Sequence, residues 1–172
     1  MDIEAFLRWR GGRARTSSLY KAGFSRTQLG KALNEGQIVR LRRGIYGLPH
    51  HEGVLGLALQ HNALVTCVSA TPVYQLWALE KPALAHVSPG HKKTVPGTVN
   101  HGRIQHAVHP SLPVAGLADV LIHALRCLPE LEALVMVQCA AQRGDITVDF
   151  LRRKLPGNRN ARARAVLDHV IL

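Results

Sequence analysis

No stretch of this 172-residue sequence stays apolar for long. Gly, Pro, His or Gln interrupts every hydrophobic run well short of the roughly 20 residues that cross a bilayer. The opening MDIEAFLRWR is acidic at once and lacks the layout of a signal peptide. No membrane partner is expected, and the sequence reads as cytoplasmic. Cysteine is scarce: Cys67, Cys127 and Cys139 lie far apart in apolar surroundings with no CxxC pair. That pattern favours buried reduced thiols over disulfides or a zinc site.

Catalytic signatures are missing too. There is no GxSxG, Walker or Rossmann fingerprint. The acids Glu80, Asp119, Glu130 and Asp145 are scattered, with no E-x-K pair on a strand-like run to hold a divalent ion. Cys67 with a distant histidine is a pairing that almost any chain with ten histidines offers. No enzyme is expected, and neither an internal repeat nor a low-complexity linker is present. The best histidine grouping for a metal is His101, His106 and His109 with His86 and His91, but it has neither tight spacing nor thiolates. The expectation is therefore no metal and no cofactor, with surface or partly buried imidazoles that gain charge as pH falls toward about 6.

What the sequence has is positive charge, +11 at pH 7 with histidine neutral. Residues 1–50 carry ten Lys/Arg against three Asp/Glu, residues 51–150 six against seven, and residues 151–172 six against one. Two basic ends flank a neutral middle. Such a distribution suits a polyanion, because neutralising phosphates releases condensed counterions.

Periodicity places a first helix in DIEAFLRWR, where Ile3, Phe6 and Leu7 share one face, closed by Gly11 and Gly12. A short second helix follows with Thr16 as cap and Gly23 as terminator. The third is better specified. Ser25 and Gln28 form a capping box, Phe24 and Leu29 a hydrophobic staple, and Gly36 ends the helix. From Gln37 the period becomes two, and QIVRLRRGIYGLP reads as a basic hairpin turning at RRG. Three helices and a basic hairpin make a winged helix-turn-helix, whose third helix enters the major groove while the hairpin rides on the backbone. Leu29, Ala32 and Leu33 face inward, which leaves Thr27, Gly30, Lys31 and Asn34 outward with Arg26 and Gln28 beside them. Gly30 has two readings of equal weight: a side chain there would collide with DNA, or the glycine is merely tolerated.

Further along, EGVLGLALQHN reads as a connecting helix and ATPVYQLWAL as another. LAHVS and RIQHAVH read as strands around the basic loop GHKKTVPGTVNHG. From Val114 the period is helical, broken at Pro129 and Gly144, with Asp145 as cap of ITVDFLRRKL. Arg159, Arg162 and Arg164 fall near the start of a last helix, where they oppose its dipole and an anion would relieve the conflict.

The segment GGRARTSSLYKAGFSRTQLGKALNEGQIVRLRRGIYGLP resembles the winged helix-turn-helix that opens the AbiEi-type antitoxins of type IV toxin–antitoxin systems. The resemblance rests on AGFSRTQL, on ALNEGQIVRLRRGIYGLP with its wing, and on the GG before the second helix. It spans about 50 residues; the region from about 66 to 170 is similar only in layout to the second domain of those proteins. The resemblance is to the form of the family without the nuclease-like C-terminal domain that some relatives carry, and no such domain is expected. The resemblance implies a DNA-binding autoregulator, with a cognate toxin as a candidate protein partner.

Together these readings give an α+β protein, with a winged helix-turn-helix at residues 1–50 and a mostly helical second domain with a small β element at 51–172. The expected function is sequence-specific binding of operator double-stranded DNA to repress transcription. Arg26, Thr27, Gln28, Lys31 and Asn34 are the base-reading candidates, and Arg40, Arg42 and Arg43 the backbone or wing candidates. Lys92, Lys93, Arg159, Arg162 and Arg164 are DNA-contact candidates in the second domain. A phage-type immunity repressor, an antitoxin acting mainly on protein, and the targeting module of a nuclease system are the alternatives, and the oligomeric state is left open.

Overall fold

The computed structural model describes residues 2–49, 53–90 and 93–171 and, at Arg42, the backbone only. In the first stretch, α1 (Ile3–Trp9) starts where the Asp2 carboxylate accepts the Ala5 N–H at 2.7 Å. It buries Ile3, Phe6 and Leu7, the set its spacing predicts. Next come β1 (Arg13–Arg15), α2 (Thr16–Lys21), α3 (Arg26–Asn34), β2 (Val39–Arg42) and β3 (Ile45–Gly47). The strands lie in the order β1–β3–β2, antiparallel at both pairings. This is the chain order of a winged helix-turn-helix, with β2 and β3 as the wing. Its core is Leu7, Leu19, Leu29, Ala32 and Ile38, and the Phe24 ring meets Phe6 edge-on at 5.5 Å.

β1 is absent from the sequence reading, and it changes how α2 begins. Thr16 is not the cap. Arg15 occupies that position without a side-chain capping bond, and Thr16, the first helical residue, donates its N–H to Gly44 O at 2.9 Å. The sheet thus satisfies a helix-end donor through the wing.

The second part contains α4 (Val54–Gln60), β4 (Ala63–Val65), a 3₁₀ turn at Cys67–Ala70, α5 (Thr71–Tyr74), β5 (Ala85–Pro89) and β6 (Thr98–Asn100). After these come α6 (Leu117–Cys127), α7 (Glu130–Gln142), α8 (Val148–Arg153), a 3₁₀ turn at Asn158–Asn160 and α9 (Ala161–Leu167). β4 and β5 pair antiparallel, β5 and β6 parallel. The helices close over a second core that includes Leu121, Leu125, Met136, Leu151, Leu155 and Leu167. The fold is α+β, and among the described residues no helix is long and apolar enough to cross a membrane.

Three expectations for this part are corrected. RIQHAVH is not a strand; the strand is Thr98–Asn100, inside the expected loop. The Gln105 and His106 N–H groups donate instead to the buried Asp119 carboxylate, at 3.0 and 2.8 Å, so they have no ladder to join. ATPVYQLWAL does not form one helix. α5 stops at Tyr74, Gln75 turns left-handed at φ 52°, and the Arg143 guanidinium binds the Tyr74 and Gln75 carbonyls that a longer helix would have used itself. Asp145 does not cap α8. Thr147 does, its Oγ1 accepting the Phe150 N–H at 3.2 Å, while Asp145 pairs with Arg143.

The two parts touch along β1 and α4. Arg13 Nη1 donates to Gly56 O at 3.1 Å, and a Cβ on Gly56 would lie 2.5 Å from the Arg13 guanidinium carbon. A side chain at position 56 would displace the Arg13 guanidinium from this contact. Burial pushes the Arg13 pKa below its ordinary value, as it does for Arg10 nearby.

Candidate nucleic-acid interface

α3 is placed by its ends. The Ser25 hydroxyl accepts the Gln28 N–H at 3.2 Å while Gln28 Oε1 accepts the Ser25 N–H at 2.8 Å, the capping box expected from sequence. At the other end Gly36, at φ 70°, donates to Leu33 O and Gln37 donates to Ala32 O, the paired bonds of a Schellman motif. With Leu29 and Ala32 buried, the helix cannot rotate without emptying the core.

Its outer face carries the expected residues. Arg26, Thr27, Gln28, Lys31 and Asn34 are all exposed. They are not equally available. Gln28 has its carbonyl oxygen committed to the cap, so its amide NH₂ is what remains for a ligand. Lys31 lies 3.7 Å from Glu35 in an exposed i,i+4 pair, an interaction worth only about 0.5 kcal/mol and easily exchanged for a phosphate or a base. A Cβ built on Gly30 meets nothing within 4 Å, so protein packing gives no reason for glycine there.

The wing continues this surface. The pairing register shifts between Arg40 and Arg42, and Gly44 at φ 80° completes the turn with Arg43. Arg40 and Arg43 are exposed. The Arg42 side chain lies outside the described residues.

Cations elsewhere are mostly engaged. Arg126 donates to Asn160, Arg143 to Asp145 and two carbonyls, and Arg152 to Asp168. Arg162 donates to Leu128 O at 2.8 Å and lies 3.6 Å from Glu130. Arg164 binds the Leu155 and Gly157 carbonyls at 2.5 and 2.7 Å, beyond the end of α8. The expected dipole conflict is corrected for Arg164, which lies in the last turn of α9 where a cation is favourable, and is answered for Arg162 by a carbonyl and a carboxylate. Arg26, Arg40 and Arg43, by contrast, have no hydrogen-bond or ion-pair partner among the described residues. Arg159 in the last 3₁₀ turn is exposed, and Lys93 borders a surface groove with Thr94, Asn100 and Arg103. Lys92 lies outside the described residues.

These placements separate two arginines that sequence treats alike. Arg164→Ala removes two charged hydrogen bonds and is expected to cost about 2 kcal/mol, a fall of several degrees in melting temperature. Arg159→Ala should leave the melting temperature unchanged. Thermal denaturation of both variants checks this, and equal melting curves would contradict it.

The histidine groupings differ from expectation. His106 sits 3.2 Å from Asp119, and His109 Nδ1 accepts the Ser111 and Leu112 N–H groups. His86, His101 and His123 come together instead. Burial lowers the pKa of all three, that of His101 to about 4 with the neighbouring histidines adding to the effect, so the His101 ring stays neutral at pH 6. Cys67 and Cys127, distant in sequence, join this group as free thiols. No sequence signal announces the set Cys67, His86, His101 and Cys127, because its four residues come from four separate places in the fold.

Residues 1–49 match the model of a family described as transcriptional regulator, AbiEi antitoxin. That segment holds α1 through β3, including the whole of α3 and the wing. The chain is also similar to a crystal structure of the RV2827C protein from Mycobacterium tuberculosis, with 15% identity and a TM-score of 0.48 over 95% of this chain and 74% of that one. No curated protein matches.

Proposed function

We propose that the chain binds double-stranded DNA sequence-specifically and represses transcription, as an antitoxin-type regulator. In this reading α3 lies in the major groove and the wing on the backbone. The observation that carries it is the set Arg26, Arg40 and Arg43, unpartnered beside an outward face of short polar side chains. Most of the other arginines are engaged internally, whereas these three lie together on α3 and the wing with no partner among the described residues, and the match over residues 1–49 supports DNA.

Thr27, Lys31, Asn34 and the Gln28 amide are then the groups within reach of base edges. Arg26, Arg40, Arg42 and Arg43 neutralise phosphates. Lys93 and Arg159 extend the contact from the second part of the chain, while Arg162 and Arg164 add mainly to the field. No catalytic step is assigned to the chain.

Selection of bound duplexes from a random library near physiological salt is the direct test, and one preferred motif is expected. On that motif Asn34→Ala should cost about 1–3 kcal/mol while binding to unrelated DNA changes much less. Equal losses on both would reduce Asn34 to a backbone contact, and a library with no enrichment would overturn the reading.

Gly30 supplies an independent check. Alanine there should stabilise the protein by up to about 1 kcal/mol, since helical glycine is costly and nothing in the protein opposes a methyl group. If α3 sits deep in the groove, the same methyl weakens operator binding by about tenfold, near 1.4 kcal/mol. A stabilised variant with full affinity would mean that the helix rides higher than proposed.

A further inference from the structure

Cys67 opens the turn after β4, His86 lies on β5, His101 directly follows β6, and Cys127 ends α6. One donor atom from each lies within 4.8 Å of the other three. His86 Nδ1 and His101 Nε2 are 3.0 Å apart, and Cys127 Sγ is 3.9 Å from His86 Nδ1. We propose that these four residues form a structural zinc site that ties the second sheet to the end of α6. The proposal is independent of the DNA-binding reading.

The dimensions fit. Zn–S bonds of about 2.3 Å and Zn–N bonds of about 2.0 Å give a tetrahedron with edges of about 3.3–3.8 Å. The observed separations straddle that range, and the widest need contract by only about 1 Å. The donors fit as well. Two sulfurs and two imidazoles suit zinc and disfavour magnesium or calcium, and four protein ligands leave no open position for catalysis. On binding, each thiol releases its proton to the solvent as its sulfur bonds the ion, and neutral imidazoles coordinate without losing one.

The surroundings hold the donors in place. Cys67 is completely buried and sits at φ 53°, an uncommon conformation for a side-chain-bearing residue, where it delivers its sulfur to the group. The His86 N–H donates to the Ser69 hydroxyl at 2.9 Å, and the His101 N–H to Val87 O at 2.7 Å. His123 stacks on His101 with ring centres 4.8 Å apart, its Nδ1 bonded to the Thr66 hydroxyl at 2.8 Å. Both His86 and His101 direct a nitrogen at the other, and without an ion that contact can share only one proton. An ion between the rings uses both lone pairs. Because the ligands come from four places in the fold, binding energy here becomes folding energy for the second part of the chain.

The test uses the full chain without a histidine tag. Purified protein should carry one zinc per chain by elemental analysis, and after chelation should take up one Zn²⁺ or Co²⁺. Cobalt should show tetrahedral d–d bands with thiolate-to-metal charge transfer. Cys127→Ser, at an exposed position, and His101→Gln should each weaken zinc binding by at least about a hundredfold. His61→Gln, also exposed and outside the group, should not weaken it. If a ligand variant fails to fold, the cobalt spectrum of the parent still decides. A spectrum without thiolate charge transfer overturns the proposal, as does zinc retained equally by Cys127→Ser. So does a parent chain two hydrogens lighter with Cys67 and Cys127 joined, which would make the pair a disulfide.

Discussion

Alanine at Arg26, Arg40 and Arg43 together is expected to weaken binding to any duplex by about a hundredfold near physiological salt, a loss of about 2.7 kcal/mol. The size follows from counterion release. Each neutralised phosphate adds about 0.9 to the slope of log affinity against log salt, which at about 0.15 M is a factor of roughly five, so three contacts multiply to the order of a hundred. The slope itself should fall by nearly 3. The ratio between operator and random DNA should change little, because phosphates carry no sequence. Arg152→Gln removes a charge that is already paired with Asp168 and is the control: its slope should stay close to that of the parent. Titrations at several salt concentrations measure all of this. An unchanged slope in the triple variant would take the wing and the start of α3 out of the interface. A slope that falls equally with Arg152→Gln would mean the protein acts as a diffuse cation.

Leu7→Ala should abolish DNA binding without touching the interface. Leu7 is fully buried between α1 and the rest of the first core. Deleting its side chain costs about 2–5 kcal/mol in transfer and cavity terms. A core of about 50 residues rarely supplies more than 3–5 kcal/mol, so this one change is comparable to the whole margin. The expected result is loss of operator binding together with a lower and broader thermal transition, while the second core, built on Leu121, Leu125 and Met136, keeps its own transition. Leu7→Met conserves volume and should restore binding, with a cost below about 1.5 kcal/mol. If Leu7→Ala binds the operator normally, the contacts of β1 with α4 stabilise the first part more than its own core does.

The sequence by itself determined the first part of the chain because its signals are local. The capping box at Ser25 and Gln28 and the glycine at 36 act within a few residues of the helix they bound, and the period-two run after Gln37 needs only its neighbours to become a hairpin. The outward face of α3 follows from helical geometry once Leu29 and Ala32 are inside, so the exposed polar set was legible before any coordinates. The net charge and its concentration at the two ends were equally plain.

Tertiary structure alone decided what depends on distant partners. β1 exists because β3 offers Arg13–Arg15 a ladder, a pairing too short to leave a periodic pattern. RIQHAVH stays irregular because a carboxylate on α6 takes its amides. Arg126, Arg143, Arg152, Arg162 and Arg164 look as available in sequence as Arg26, Arg40 and Arg43, and only the positions of carbonyls and carboxylates on other elements separate the paired from the unpaired. The cysteine and histidine group is the extreme case. Its members are spread from residue 67 to residue 127, and nothing local marks them, because coordination geometry constrains atoms in space and leaves their separation along the chain free.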